Sequence, residues 1–235
     1  MIKRKKLGQH FLNSKLIAEK IISEANITPN DIVLELGTGL GVLTPLLCEN
    51  AKKVFSIEID GDLFQEAKKK FSKIHNLTLN FGDGLKTKER FTIFVSNLPY
   101  SKSKEALEWL ATIPFSHGII MVQKEFAEKL LAKSFKNRKA ISIIATQSFE
   151  ITTVSKVGKN NFSPPPKIDS VILKIIKKNN LSKDLIQTIN KIFSYRRKTV
   201  KNILKQFNKE SIIDKRVDDL SGDEIINLGN KILEK

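Results

Sequence analysis

Short runs of β-branched and aliphatic residues alternate with amphipathic stretches along most of the chain. DIVLEL at 31–36, KVFSIEI at 53–59, LTLNF at 77–81, TIFVSNL at 92–98 and GIIMVQ at 118–123 predict strands. Several are apolar throughout, as strands in a sheet covered on both faces should be. Between them the spacing predicts helices at about 43–50, 61–73, 103–112 and 124–133. Strands alternating with helices predict an α/β fold on a doubly wound, mostly parallel sheet.

Further on, FEITTVSKV at 149–157 and SVILKIIKK at 170–178 predict two more strands, joined by the rigid loop NNFSPPPKID. With no helix between them they are expected to pair antiparallel at an edge. From KKNNLSKD onward apolar positions fall three and four apart: Leu185, Ile189, Ile192 and Phe193, then Val200, Ile203, Leu204 and Phe207. That spacing predicts a small helical domain at 180–235 after a larger domain at 1–179.

Chemistry gathers where the strands end. DIVLEL runs into Gly37-Thr38-Gly39-Leu40-Gly41, which permits a tight turn and close approach of a ligand to the backbone. A dinucleotide fingerprint would place its third glycine where Val42 stands. Counted from Glu35, the spacing E-x-G-x-G-x-G resembles instead the S-adenosylmethionine turn of class I methyltransferases. Glu58 ends the next strand, where a carboxylate can accept both hydroxyls of a ribose. Asp83, in FGDGL, ends the third and can accept from an adenine amine. Each feature alone also suits an ordinary turn or a solvated strand end; together they fall where such sheets bind ligands.

The fourth strand ends in Asn97-Leu98-Pro99-Tyr100. The Asn97 side-chain carbonyl and the Leu98 backbone carbonyl can accept the two N–H groups of an exocyclic amine. Pro99 biases Leu98 toward an extended conformation, and Tyr100 offers a face for base stacking worth roughly 1–3 kcal/mol. An adenine amine is a poor nucleophile because its lone pair is shared with the ring. Holding both hydrogens favours a more tetrahedral nitrogen, and alignment with a methyl donor supplies much of the rest. No strong base is needed, because the nitrogen becomes acidic once methylated. A simple strand-ending turn is the alternative, since Asn and Pro are common there.

Charge narrows the partner. Lys and Arg number 41 against 25 acidic residues, a net +16, so a polyanion is expected. A lone cysteine, Cys48, excludes an internal disulfide and suits a reducing cytosol. His10, His75 and His117 are scattered and predict no metal site. No apolar run is long enough to span a membrane, so a cytoplasmic protein is expected; separately, a monomer is expected.

Seven segments in order resemble one family: LGQHFL at 7–12, ELGTGLGVLT at 35–44, IEID at 57–60, NLPY at 97–100, VQKEFAEKL at 122–130, FSPPPKIDS at 162–170 and FSYRRKTVKNIL at 193–204. They resemble the rRNA adenine N6,N6-dimethyltransferases, that is, the KsgA-type small-subunit enzymes and their relatives the Erm methyltransferases. The resemblance implies a Rossmann-like methyltransferase sheet using S-adenosylmethionine, with Gln9, His10 and Leu12 covering the cofactor. Glu35, Gly37 and Gly39 would form its turn, Glu58 would hold the ribose and Asp83 the adenine. Asn97 would stand between cofactor and target, and Leu98, Pro99, Tyr100 and Phe162 would shape the acceptor pocket, with Phe162 as the second aromatic around a flipped base. From the residues alone, Phe162 reads as a core residue before a loop.

The closer match to the ribosome-biogenesis branch implies two adjacent adenines near the 3′ end of small-subunit rRNA. Lys3, Arg4, Lys5 and Lys6, and Arg196, Arg197, Lys198 and Lys201 on one predicted helix, would contact phosphates, although charge runs also form plain solvated faces. After NLPY the family usually continues Asn-Ile-Ser/Thr, whereas here Ser101-Lys102-Ser103-Lys104-Glu105 follows. Alternative readings are Erm-like methylation of large-subunit rRNA, DNA adenine methylation, and a non-catalytic assembly factor on the same fold.

Overall fold

A computed structural model describes residues 10–132, 134 and 137–234. They form two compact units. The first comprises the described residues up to Ala106, with Phe115–Ala127 and Ile151–Lys177. The second comprises Leu107–Pro114, the described residues of Glu128–Glu150, and those from Lys178 onward.

Chain order gives strands β1 (Phe11–Leu12), β2 (Ile32–Leu36), β3 (Lys53–Glu58), β4 (Leu77–Phe81), β5 (Ile93–Asn97), β6 (His117–Gln123), β7 (Phe149–Val157), β8 (Phe162–Ser163) and β9 (Ser170–Lys177). The helices are α1 (Lys15–Ala25), α2 (Thr44–Asn50), α3 (Gly61–Lys70), α4 (Ser103–Thr112), α5 (Lys124–Leu130), α6 (Ala140–Ser148), α7 (Lys183–Ser194), α8 (Val200–Lys205) and α9 (Gly222–Leu233).

The first unit is built on a seven-stranded sheet ordered β4-β3-β2-β5-β6-β9-β7. β2 pairs parallel with both β3 and β5, and β9 closes antiparallel on β6. Val33 and Leu34 of β2 and Ile93, Phe94 and Val95 of β5 are wholly buried, which is why these strands read as continuous apolar runs. From β2 the chain goes outward to β3 and β4 and then returns to the other side as β5. That reversal opens a crevice at the carboxyl ends of β2 and β5.

Sequence periodicity did not indicate α1 or α6. Ser14 caps α1 by accepting from the Ile17 N–H at 3.4 Å, and Ala18, Ile21 and Ala25 bury one face. α6, AISIIATQS, is buried on nearly every side, so it carries no polar stripe. Asp60 caps α3, accepting from the N–H groups of Asp62 and Leu63 at 3.0 and 3.2 Å, while Lys68, Lys69 and Lys70 occupy the last turn and suit the helix dipole. α3 and α5 both stop three residues short of their predicted ends.

In the second unit, Ser182 caps α7, its hydroxyl accepting from the Leu185 N–H at 3.1 Å. A reciprocal capping box of Ser221 and Glu224 starts α9. Leu185, Ile189 and Ile192 face a core shared with Ile225 and Leu228 of α9. Gly229 lets these helices approach, since a Cβ there would lie 2.7 Å from Leu185 Cδ1. α7 ends at Ser194 and α8 begins only at Val200, so Arg196, Arg197 and Lys198 lie in a turn. The single cationic helix expected from the sequence is therefore divided.

Candidate active site

The crevice at the reversal of strand order holds a pocket walled by the ends of β2, β3 and β5. Its floor is the turn after β2, where Gly37, Gly39 and Gly41 have φ of +84°, +55° and +70°. Side chains rarely adopt that left-handed region, and this is what three glycines in five residues provide. A Cβ at Gly37 would meet nothing within 4 Å, so this backbone faces open space that a ligand can approach. The turn is tied down from β3: the Gly37 N–H donates to the Ile57 carbonyl at 2.8 Å, and the Gly39 N–H to Glu58 Oε2 at 2.9 Å.

Glu58 lines the pocket although it is 3% exposed. Its other oxygen accepts from the Asp60 N–H at 2.9 Å. Each carboxylate oxygen keeps a second lone pair, so the fixed side chain can still accept from hydroxyls. Asp83 lines the next wall; its Oδ1 accepts from the Leu85 N–H at 3.1 Å. Ile59 lines the same pocket with 54% of its surface exposed, an apolar face beside the acids.

Asn97, Leu98, Pro99 and Tyr100 form the wall at the end of β5. Asn97 Nδ2 donates to the His10 carbonyl at 3.2 Å, which fixes the amide orientation and turns Oδ1 away from that carbonyl. The Leu98 N–H extends the ladder to Met121, donating to its carbonyl at 3.1 Å. The Tyr100 hydroxyl bonds to Ser170 Oγ at 2.9 Å, and burial pushes the phenol above its ordinary pKa, so it remains neutral. On its ring lies the His10 imidazole, with centroids 5.3 Å apart. His10 Nδ1–H in turn donates to the Pro164 carbonyl at 2.8 Å, so the amino-terminal segment and the proline loop are joined over this wall.

Of the residues singled out from the sequence, the pocket gathers His10, Gly37, Gly39, Glu58, Asp83, Asn97, Leu98, Pro99 and Tyr100. Leu12 and Phe162 are placed elsewhere. They face each other across the β1–β8 pair, 4% and 3% exposed, within the core cluster. The residue-level reading of Phe162 as core describes its surroundings; in this conformation its ring does not line the pocket. Glu35 is also buried, 1% exposed, and bonded to Thr44 and Ser56. Burial pushes its carboxyl up to about 7, with Glu58 adding to the rise and the two hydroxyls opposing it. Gln9, Lys3, Arg4, Lys5 and Lys6 lie outside the described residues.

Arg196 differs from the expectation of a phosphate contact. Its guanidinium pairs with the Asp218 carboxylate, with Nη2 at 2.8 and 2.9 Å from the two oxygens, and is only 24% exposed. Arg197, Lys198 and Lys201 are exposed. Sequence reading did not pick out Phe11, Ile59 and Lys102, all of which line the pocket. Ile59 had a detectable signal, an isoleucine directly after the strand-end Glu58. Lys102 lay in the departure after NLPY, and its ammonium is 2.6 Å from the Glu105 carboxylate.

A mostly parallel sheet with a glycine turn and strand-end acids, facing an Asn-Leu-Pro-Tyr wall, defines a Rossmann-like methyltransferase. A solved dimethyladenosine transferase from Plasmodium falciparum superposes with a TM-score of 0.79 at 31% identity, covering 95% of this chain and 98% of that one. The 23S rRNA methyltransferase ErmE shares the fold, with a TM-score of 0.66 at 23% identity over 95% of this chain and all of its own. Among curated relatives, the ribosomal RNA small subunit methyltransferase A of Thermotoga neapolitana is 36% identical over 97% of this chain and 90% of its own. That of Borreliella burgdorferi is 32% identical over 97% and 88%. The family model for ribosomal RNA adenine dimethylases matches residues 2–228, and the chain belongs to that family.

Proposed function

We propose that this enzyme dimethylates N6 of two adjacent adenines near the 3′ end of small-subunit rRNA, with S-adenosylmethionine as methyl donor. One observation carries the reading: a single pocket joins the Gly37 turn, Glu58 and Asp83 to the Asn97–Tyr100 wall. The residues fit the cofactor. Gly37 presents open backbone, Glu58 retains acceptor capacity toward ribose hydroxyls, and Asp83 offers a carboxylate to an amine.

When bound, the cofactor supplies an electrophilic methyl group. The protein's part is to hold the amine in line with it. Asn97 Oδ1 and the Leu98 carbonyl accept the two N–H groups, Pro99 keeps the second acceptor extended, and Tyr100 supports the base. The proton leaves after methylation, when the nitrogen is cationic. In the second round only one N–H remains, and one acceptor suffices to orient it. For a base to stack on the Tyr100 face that His10 covers, His10 must move aside. Residues 180–235 serve as the ribosome-contacting part. Among the described residues no helix is long and apolar enough to cross a membrane.

Labelled methyl transfer should be compared on immature small subunits, naked small-subunit rRNA, large-subunit rRNA and duplex DNA, with the product nucleosides resolved. Dimethyladenosine from the small-subunit substrates is expected. Transfer confined to large-subunit RNA would overturn the target. No transfer despite cofactor binding would favour an assembly factor.

RNA binding should weaken steeply with salt as counterions are released. Arg197→Gln, Lys198→Gln and Lys201→Gln should each lower the log–log salt slope by about 1. Arg196→Ala, which removes a partly exposed pair with Asp218, should instead destabilise the protein by about 1 kcal/mol and leave the slope alone. A slope that falls for Arg196→Ala as much as for the others would restore Arg196 to the phosphate surface.

A further inference from the structure

The glycine turn presents a physical problem. Three residues in five adopt left-handed conformations, so the segment loses much entropy on ordering and needs anchors. The anchors on the ligand side are the Gly37 and Gly39 N–H bonds to β3. A second set lies underneath. Thr38 Oγ1 is 2.6 Å from Ser56 Oγ, Ser56 Oγ donates to Glu35 Oε2 at 2.6 Å, and Thr44 Oγ1 donates to the same oxygen at 2.7 Å. Because the Ser56 proton is committed to Glu35, Thr38 must donate to Ser56. One carboxylate oxygen therefore sets the direction of a relay that reaches both the turn, at Thr38, and the start of α2, at Thr44.

All four side chains are buried: Thr44 and Ser56 at 0%, Glu35 at 1% and Thr38 at 4% exposed. Burying a carboxylate and three hydroxyls costs stability unless each is satisfied. Glu35 itself does not line the pocket. Its spatial relation to the cofactor is through the turn.

We propose that Glu35 is a positioning residue that holds the glycine turn in its ligand-ready shape from beneath, through Ser56–Thr38 and Thr44. This rests on the reading of the pocket as the cofactor site. The ionised carboxylate accepts stronger, charge-assisted hydrogen bonds than the neutral acid, so the turn is held more firmly once Glu35 has lost its proton. The ionisable groups acting on it are Glu58, from β3, and Cys48, from α2. Burial pushes the Cys48 thiol up to about 12, so it stays neutral, while β5 places Val95 opposite Glu35. The proton on Glu35 is thus governed by burial, its two hydroxyl donors and Glu58.

The test is calorimetric binding of S-adenosylhomocysteine, with a thermal melt of each variant. Wild type should bind more tightly as pH rises from 6 to 8. Glu35→Gln, which keeps an oxygen for both hydroxyls but cannot ionise, should bind within about threefold of wild type at pH 6 and show no such rise. Glu35→Ala should weaken binding about tenfold by leaving the relay without its acceptor. Ser56→Ala and Thr44→Val, milder changes that remove one hydroxyl each, should each give part of that loss and add little to it in the Glu35→Ala background. Full additivity, or equal pH profiles for wild type and Glu35→Gln, would overturn the positioning role. Wild type that fails to bind would overturn the cofactor reading and this inference together.

Discussion

Asn97→Ala is expected to lower kcat for methyl transfer about 100- to 1,000-fold, the loss typical of removing one preorganised hydrogen-bond partner from a reaction centre. Affinity for S-adenosylhomocysteine should change little. The missing atom is Oδ1, and its partner matters most when the amine is pyramidal and acquiring charge. A group that acts mainly in the transition state lowers kcat and kcat/KM together, which distinguishes it from a residue that only binds RNA. The substitution also removes the Nδ2–H bond to the His10 carbonyl, at 3.2 Å. That bond is worth roughly 1 kcal/mol, so the melting temperature should fall by only a few degrees.

Asn97→Asp makes a useful control. It restores an acceptor oxygen but sets a carboxylate against the His10 carbonyl, so the amino-terminal segment should lose its seat over Tyr100. It is expected to recover less activity than the return of an oxygen alone would suggest. Unchanged kcat in Asn97→Ala would remove Asn97 from the reaction centre. A change confined to KM for RNA would reduce it to a binding residue.

The parts of the site legible in the sequence are those whose chemistry and backbone requirement coincide at a strand end. Three glycines after an apolar run demand a turn, and an amide with a proline two residues on demands the end of a strand; the structure has both. Glu35 was legible as part of the motif but not in its placement. Nothing in one-dimensional spacing says that Ser56, 21 residues away, would share its oxygen with Thr44. Phe162 shows the reverse case, since its apolar character predicts the burial that the structure contains, whereas its pairing with Leu12 across 150 residues left no trace in the spacing. Arg196 was grouped with its neighbours because charge is visible in a sequence, whereas Asp218, which neutralises it, is 22 residues away. α6 escaped because a helix buried on nearly every side has no clear amphipathic period, and its isoleucines suit a strand equally well.

Glu35 also leads to a stability prediction whose sign is opposite to its effect on binding. Its carboxyl is raised from the ordinary 4.5 to about 7 in the folded chain, with burial as the largest cause. Below about pH 4.5 both folded and unfolded chains carry the proton, and nothing is lost. Between about pH 4.5 and 7 the unfolded chain gives up its proton while the folded one keeps it. Folded protein then binds more protons than unfolded protein, so stability must fall as pH rises, levelling off above 7. At 1.36 kcal/mol per pH unit across that window, the loss is about 3 kcal/mol.

Glu35→Gln cannot titrate, so the difference in unfolding free energy between wild type and this variant isolates the Glu35 carboxyl together with its coupling to Glu58. Denaturant unfolding at a series of pH values should show wild type losing about 3 kcal/mol relative to Glu35→Gln between pH 4.5 and 7. A difference that stays flat would mean Glu35 is solvated enough to ionise freely, and the buried relay would lose its physical basis. If it falls while the variant's cofactor affinity stays level with pH, the two slopes together expose a trade. The charge that weakens the fold near neutrality is the one that firms the glycine turn, so the chain gives up stability at Glu35 to hold its binding turn in shape.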